Sequence, residues 1–306
     1  MSEPRHHGLL AKFDCWEGFA EPGFRVNFLG VKTREHMAFL EGGPRISGQT
    51  KVGFVVTKLP AFDEEYFQWI DLVEAVTQAR GQFIMIELGA GYGRWLVNAG
   101  IALRKTSGLP FRLIGVEAEP THFQWMQEHF RDNEIEESCY ELIQAAIDAE
   151  DGRVRFLTGN PNWWYGQSIW PPETKTLIPS RLKLVLAMIR KRVKNVTAVS
   201  LNSILRPLDK VDLIDIDVQG TEFRVLASAV DQLNEKVCRV HIGTHGPEIE
   251  AELRALFQQV RWECKSDYPS GSKKDTLWGT IKFEDGVQSW VNPNSRARIT
   301  IRESIS

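Results

Sequence analysis

The residues of this 306-residue chain best suited to chemistry lie in a few short segments. The first, Phe83-Ile-Met-Ile-Glu-Leu-Gly-Ala-Gly-Tyr-Gly-Arg-Trp95, is an apolar run that breaks into alternating glycines and opens a helical pattern. Such a turn brings backbone N–H groups and a helix N-terminus close to a ligand, because Gly89 and Gly91 have no Cβ to obstruct it. Ala90 and Tyr92 lie within the same turn. Glu87 at the strand tip repels phosphate and attracts a cation, which points to the sulfonium and α-ammonium of S-adenosylmethionine. A nicotinamide dinucleotide would need glycine at the first, third and sixth positions, and counting from Gly89 the sixth is Arg94. Glu117 follows Gly89 by 28 residues, against about 20 for the ribose acid of that fingerprint. A nicotinamide-dependent oxidoreductase is therefore the weaker alternative; a non-catalytic relic of the cofactor fold is the other.

Glu117 and Ala118 end a second apolar run. An ionised carboxylate there accepts from both ribose hydroxyls, with Glu119 as rival two residues past the strand end. Ala146 and Ile147 follow a third run and would flank adenine. In Val211-Asp-Leu-Ile-Asp-Ile-Asp217 the period-2 alternation puts Asp215 and Asp217 on one face, about 7 Å apart by strand rise. Two carboxylates in an apolar strand are costly unless paired, protonated or bound to a metal. His241 and His245 bracket the end of the next run. Transfer to a hydroxyl needs a base or a divalent cation to lower the barrier. His245 or His241 oriented by Asp217 needs no further ion and is preferred. Asp217 and Asp215 with a His around Mg²⁺ is the competing scheme, and no metal site is assigned.

These residues need a scaffold that brings strand ends together. Apolar runs at 83–88, 112–116, 140–145, 211–216, 237–242, 260–264 and 277–283 alternate with helical patterns at 94–104, 120–133, 221–233 and 247–259, the signature of βαβ units around a parallel sheet. The last two runs are joined by turn-rich residues 266–275, which predicts an antiparallel C-terminal hairpin at the sheet edge. Short strands are expected at 154–157 and 197–201. Residues 1–80 read as an extension with strands at 25–31 and 52–57 and a cap helix over 63–79. Residues 81–306 read as the main domain, with an insert at 158–195. The insert begins with an aperiodic loop whose Trp163, Trp164, Tyr165 and Gln167 combine flat apolar faces with hydrogen-bonding groups, suited to gripping an acceptor ring or to packing down on the sheet. Residues 179–195 then place Leu182, Val185, Leu186, Ile189 and Val193 on one helical face among six Lys or Arg, which reads as a surface helix.

The set Glu87-Leu-Gly-Ala-Gly-Tyr-Gly93, Val116-Glu-Ala-Glu-Pro120, Ala145-Ala-Ile-Asp148 with Asp151-Gly152, and Val211 to Glu222 resembles the FkbM family of class I methyltransferases over roughly residues 83–264. The commoner family version of the last motif has Lys at the position of Asp215 and Glu at that of Gln219. His241-Ile-Gly-Thr-His-Gly246 and Asp285 to Pro293 resemble a branch of it. The resemblance implies a seven-stranded, mostly parallel Rossmann-like sheet, S-adenosylmethionine as methyl donor, and an O-methyl product on a sugar or other small hydroxylated metabolite.

Composition sets bounds on partners. With 37 basic and 40 acidic residues and a net charge of −3, no global positive field recruits nucleic acid. No run of 18 apolar residues suggests a transmembrane segment. The four cysteines, Cys15, Cys139, Cys238 and Cys264, lack metal-ligand spacing and read as free thiols of a reducing compartment. A cytoplasmic enzyme with a small-molecule acceptor is expected.

Overall fold

The computed structural model describes residues 5–38, 53–158, 167–169 and 193–295. The first five apolar runs and two later segments form one sheet of seven strands: β1 Phe83–Leu88, β2 Phe111–Glu117, β3 Tyr140–Gln144, β4 Leu213–Ile216, β5 Arg239–Thr244, β6 Glu263–Tyr268, displaced toward the C-terminus from the expected 260–264, and β7 Gly286–Val291. They are ordered β6-β7-β5-β4-β1-β2-β3. The five strands from β5 to β3 pair in parallel, while β7 runs antiparallel to both β5 and β6. This is the class I Rossmann-like methyltransferase arrangement. The strand order reverses between β1 and β4, the switch point where open α/β sheets bind ligands outside the carboxyl ends of their strands.

The seventh strand is not the expected one. Residues 279–283 pair with Ser272–Thr276 in a separate hairpin, and Gly286–Val291 completes the sheet. That strand is buried throughout although it carries Gln288 and Ser289. Gln288 donates to the Glu250 carbonyl and Ser289 to Asp71, so both polar side chains are satisfied inside.

Among the described residues, the longer helices that cover the sheet are α1 Tyr66–Gln78, α2 Arg94–Lys105, α3 Pro120–Asp132, α4 Glu222–Ser228, α5 Val230–Lys236 and α6 Pro247–Gln259, with the short helix Leu201–Leu205 packed into the same core. The helical pattern at 221–233 resolves into two, broken at Ala229. Period-2 alternation sorts the core into two layers. Phe83, Met85, Leu113 and Leu213 face α1, α2 and α3. Ile86, Ile114, Ile214, Val240 and Ile242 face the helices after β4, meeting Val225, Leu233, Leu253 and Phe257. The N-terminal segment joins the first layer through Leu10, Phe28, Leu29 and Val31. The strand expected at 25–31 is shorter, Phe24–Val26 paired with Lys32–Arg34, because Gly30 at φ +82° turns the chain back.

A second sheet flanks the end of β3, in the order Ser168–Ile169, Gly152–Leu157, Val193–Ser200, Ala146–Asp148. Residues 193–195, expected to end the basic helix, instead begin a strand, since their β-branched and alternating neighbours pair with Gly152–Leu157. Trp163, Trp164, Tyr165 and residues 179–192 lie outside the described residues. Among those described, no helix is long and apolar enough to cross a membrane.

Candidate active site

At the switch point the chain encloses a cavity of about 440 Å³. Of the residues singled out from sequence, Glu87, Gly89, Ala90, Gly91, Glu117, Ala118, Ala146, Ile147, Gln167, Asp217 and His241 line it. The glycine turn is built for close approach: Gly89, Gly91 and Gly93 all sit at positive φ, between +54° and +77°, which glycine adopts at little cost. A Cβ on Gly89 would lie 2.1 Å from the Asp217 carbonyl oxygen. Gly243 leaves the opposite side of Asp217 open, since a Cβ there would stand 3.3 Å from the Asp217 carboxyl carbon. Two glycines thus flank Asp217 at the ends of β1 and β5.

Glu117 is buried and accepts from the Gly91 N–H at 2.8 Å and the Glu119 N–H at 2.7 Å. Burial raises its pKa, with His122 opposing. The rival Glu119 is a helix cap, its side chain accepting from the N–H groups of Thr121 and His122 at the start of α3. Ala145, Ala146, Ile147 and Phe156 supply an apolar wall.

Tyr92 is a correction. The left-handed glycines on either side turn its ring away from the cavity, where it is fully buried edge-on against His129 of α3. The turn residues facing the cavity are Gly89, Ala90 and Gly91.

A row of polar side chains crosses the sheet on the α1 side, because Glu87, Asp215, His241 and Ser289 are register partners on β1, β4, β5 and β7. Helix α1 answers it residue by residue. Gln68 donates to Asp215 at 2.6 Å; Asp71 takes His241 Nδ1 at 2.7 Å, Ser289 Oγ at 2.7 Å and Arg239 at 2.5 Å; Glu74 takes the other Arg239 nitrogen at 2.5 Å. Burial pushes Asp215 up to about 7 against the pull of His241 and Gln68. Burial, and then Asp215, hold Glu87 well above the usual carboxylate range, although its carboxylate accepts the Leu96 N–H. His241 is a buried member of this network, held at Nδ1 by Asp71, and it also lines the cavity.

His245 is placed differently. It stands just behind the cavity wall, with Nε2 3.4 Å from Asp217 Oδ1 and Nδ1 2.5 Å from Glu222 Oε1. The Asp217 side chain is 60% exposed and faces the cavity. Burial lowers the imidazole pKa, but the hydrogen bond to Glu222 and the charges of Asp217, Glu222 and Asp285 outweigh it and raise it to about 9. Of the two histidines, His245 is the one beside Asp217. Among the described residues, no group of three or more His, Cys, Asp or Glu side chains is arranged to hold a metal ion.

Sequence reasoning missed Gln68, Asp71, Glu74, Arg239 and Glu222. A usable signal existed for three of them: Gln68, Asp71 and Glu74 recur at three-residue spacing, which puts them on one side of the helix.

Residues 87–269 match the methyltransferase FkbM domain. A protein of Jannaschia sp. (strain CCS1) that bears a provisional methyltransferase name is 28% identical over 265 residues, covering 85% of this chain and 90% of that one. The structure of methyltransferase FkbM from Methylobacillus flagellatus KT superposes with a TM-score of 0.41 at 11% identity over 75% of this chain; the match spans only 55% of that protein's length. TrmK of M. capricolum, solved in complex with S-adenosyl-homocysteine, superposes with a TM-score of 0.36 at 7% identity, over 72% of this chain and 67% of that one.

Proposed function

This chain belongs to the FkbM methyltransferase family, and from that membership we propose that it transfers the methyl group of S-adenosylmethionine to a hydroxyl of a sugar or other small metabolite. The observation that carries the reading is the sign of the cavity. Glu64, Glu65, Glu87, Glu117, Asp215, Asp217, Glu284 and Asp285 line it against one arginine, Arg94, which is held bidentate by Glu65 at 2.8 and 2.9 Å, and a cation bound beside Glu87 and Asp215 would draw these two buried carboxyls toward their ionised forms. A cationic sulfonium with an α-ammonium suits that wall; the diphosphate of a nicotinamide cofactor does not.

The residues present fit the cofactor by their chemistry. Glu117, a buried acceptor beside the open Gly89–Gly91 turn, would hold the ribose hydroxyls. Ala146, Ile147 and Phe156 would cover the adenine, and Glu87 with Asp215 would face the cationic end. When bound, S-adenosylmethionine supplies an electrophilic methyl group. The chain's own work is to position the acceptor and remove its proton. Asp217 orients the acceptor hydroxyl from the cavity wall, and the proton it loses passes to Nε2 of His245, which is a stronger base than a carboxylate. Because His245 holds a proton below about 9, the competent base form grows as pH rises, so turnover should rise with pH toward that value. The four free thiols support a cytoplasmic setting.

Transfer of labelled methyl from S-adenosylmethionine to a panel of monosaccharides and hydroxylated metabolites, measured from pH 6 to 10 with and without EDTA, tests the reading. Label transfer that rises with pH and disappears in His245→Ala supports it. Full activity in His245→Ala removes this base, and EDTA-sensitive turnover favours the cation scheme instead.

A further inference from the structure

Glu222 opens α4 and is wholly buried. Its Oε1 lies 2.5 Å from His245 Nδ1 and also accepts the Gly220 N–H at 3.2 Å, while Oε2 has no hydrogen-bond partner among the described residues. A carboxylate with one oxygen unsatisfied in the interior costs free energy that an apolar residue would not. An acid in the first turn also complements the helix dipole, but any exposed acid there would do so without that cost. What distinguishes this carboxylate is its partner. His245 is gripped from both edges: Nδ1 by Glu222, and Nε2 by Asp217 Oδ1 at 3.4 Å and the Gln219 amide nitrogen at 3.1 Å.

Two pieces of chain meet at this ring. The segment after β4 brings Asp217, Gln219 and, at the start of α4, Glu222, while His245 comes from the loop after β5. An imidazole held only at Nε2 could rotate about its side-chain bonds or carry its proton on either nitrogen. A buried carboxylate on Nδ1 fixes both, since a hydrogen bond to one ring nitrogen determines the protonation of the other.

We propose that Glu222 is the positioning residue of the methyl-transfer site: it holds Nδ1–H of His245 and keeps Nε2 facing Asp217 and the acceptor hydroxyl. This rests on the reading of His245 as the base. Glu222 touches neither acceptor nor cofactor and acts through the ring. The charged groups facing His245 are Glu222, Asp217 and Asp285. Asp217 is largely exposed, so solvent screens it, whereas Glu222 is not screened.

The test is an NMR titration of the His245 ring in the full chain, for wild type, Glu222→Gln and Asp217→Asn, beside calorimetry with S-adenosylhomocysteine on the same preparations. The expected result is a His245 midpoint lower by at least about one pH unit in Glu222→Gln, a smaller drop in Asp217→Asn, and homocysteine-cofactor affinity within about twofold of wild type in Glu222→Gln. The rising limb of turnover should move down by the same shift while kcat falls and the acceptor KM stays put. If Glu222→Gln does not fold, Glu222→Asp, which keeps the charge but retracts it, should give a shift between the two. A His245 midpoint unchanged on altering Glu222, or moved more by Asp217→Asn, overturns the proposal. Absence of S-adenosylhomocysteine binding to wild type would instead sink the methyl-transfer reading, with the titration still deciding whether Glu222 governs the ring.

Discussion

The Gly91 N–H donates to Glu117 Oε2 across 2.8 Å, tying the glycine turn after β1 to the tip of β2. The same carboxylate that would receive the ribose hydroxyls therefore also shapes the turn that receives the rest of the cofactor. Glu117→Ala should weaken S-adenosylhomocysteine binding by about 1.5–3 kcal/mol, or roughly 13- to 160-fold, the scale of hydrogen bonds to a charged group. Calorimetry reads this directly, and an unchanged dissociation constant would remove Glu117 from the cofactor site.

Gly89 allows no side chain. Its φ of +77° and the 2.1 Å approach of the Asp217 carbonyl to an added Cβ mean that Gly89→Ala must push β1 and β4 apart at their ends. The expected outcome is loss of S-adenosylhomocysteine binding together with a lower Tm by differential scanning fluorimetry. Wild-type values for both would show that the turn can relax freely.

Much of this was legible in the chain, and the reasons differ from residue to residue. Strands β1 to β5 follow aliphatic runs, and α6 was bounded by Pro247 and the end of its periodicity. Strand β7 was not legible, because Gln288 and Ser289 interrupt its apolar pattern and are satisfied only by Glu250 and Asp71, residues distant in sequence. Leu277 drew the strand assignment to 277–283 instead, yet it is 87% exposed. The glycine turn and Glu117 were found because local spacing encodes them. Arg239 with Asp71, and Glu222 with His245, depend on folding that brings separate elements together, and no local pattern records such pairs.

Arg239 pairs with both Asp71 and Glu74, and it is 2% exposed. Arg239→Met would leave Asp71 buried without its main counter-charge, so unfolding free energy from urea denaturation should fall by about 3–5 kcal/mol. A loss below about 1 kcal/mol would mean that His241 and Ser289 alone satisfy Asp71.

Asp215 links stability to pH. Its carboxyl rises from 3.8 to about 7 on folding, so the folded state binds the proton more tightly than the unfolded state. The stabilisation is fully present below about pH 4 and is lost progressively as pH rises through about 7. Asp215→Asn keeps an acceptor for Gln68 but cannot ionise. It should raise Tm relative to wild type at pH 8.5 and change it little at pH 5. Equal Tm differences at both values would show that Asp215 does not titrate in this window.

Whether this acidic cavity holds S-adenosylmethionine is decided most directly by calorimetry of the wild-type chain with S-adenosylhomocysteine and, separately, with NAD⁺. The account predicts saturable one-to-one binding of S-adenosylhomocysteine and no heat from NAD⁺. Binding of NAD⁺ with none of S-adenosylhomocysteine would contradict it.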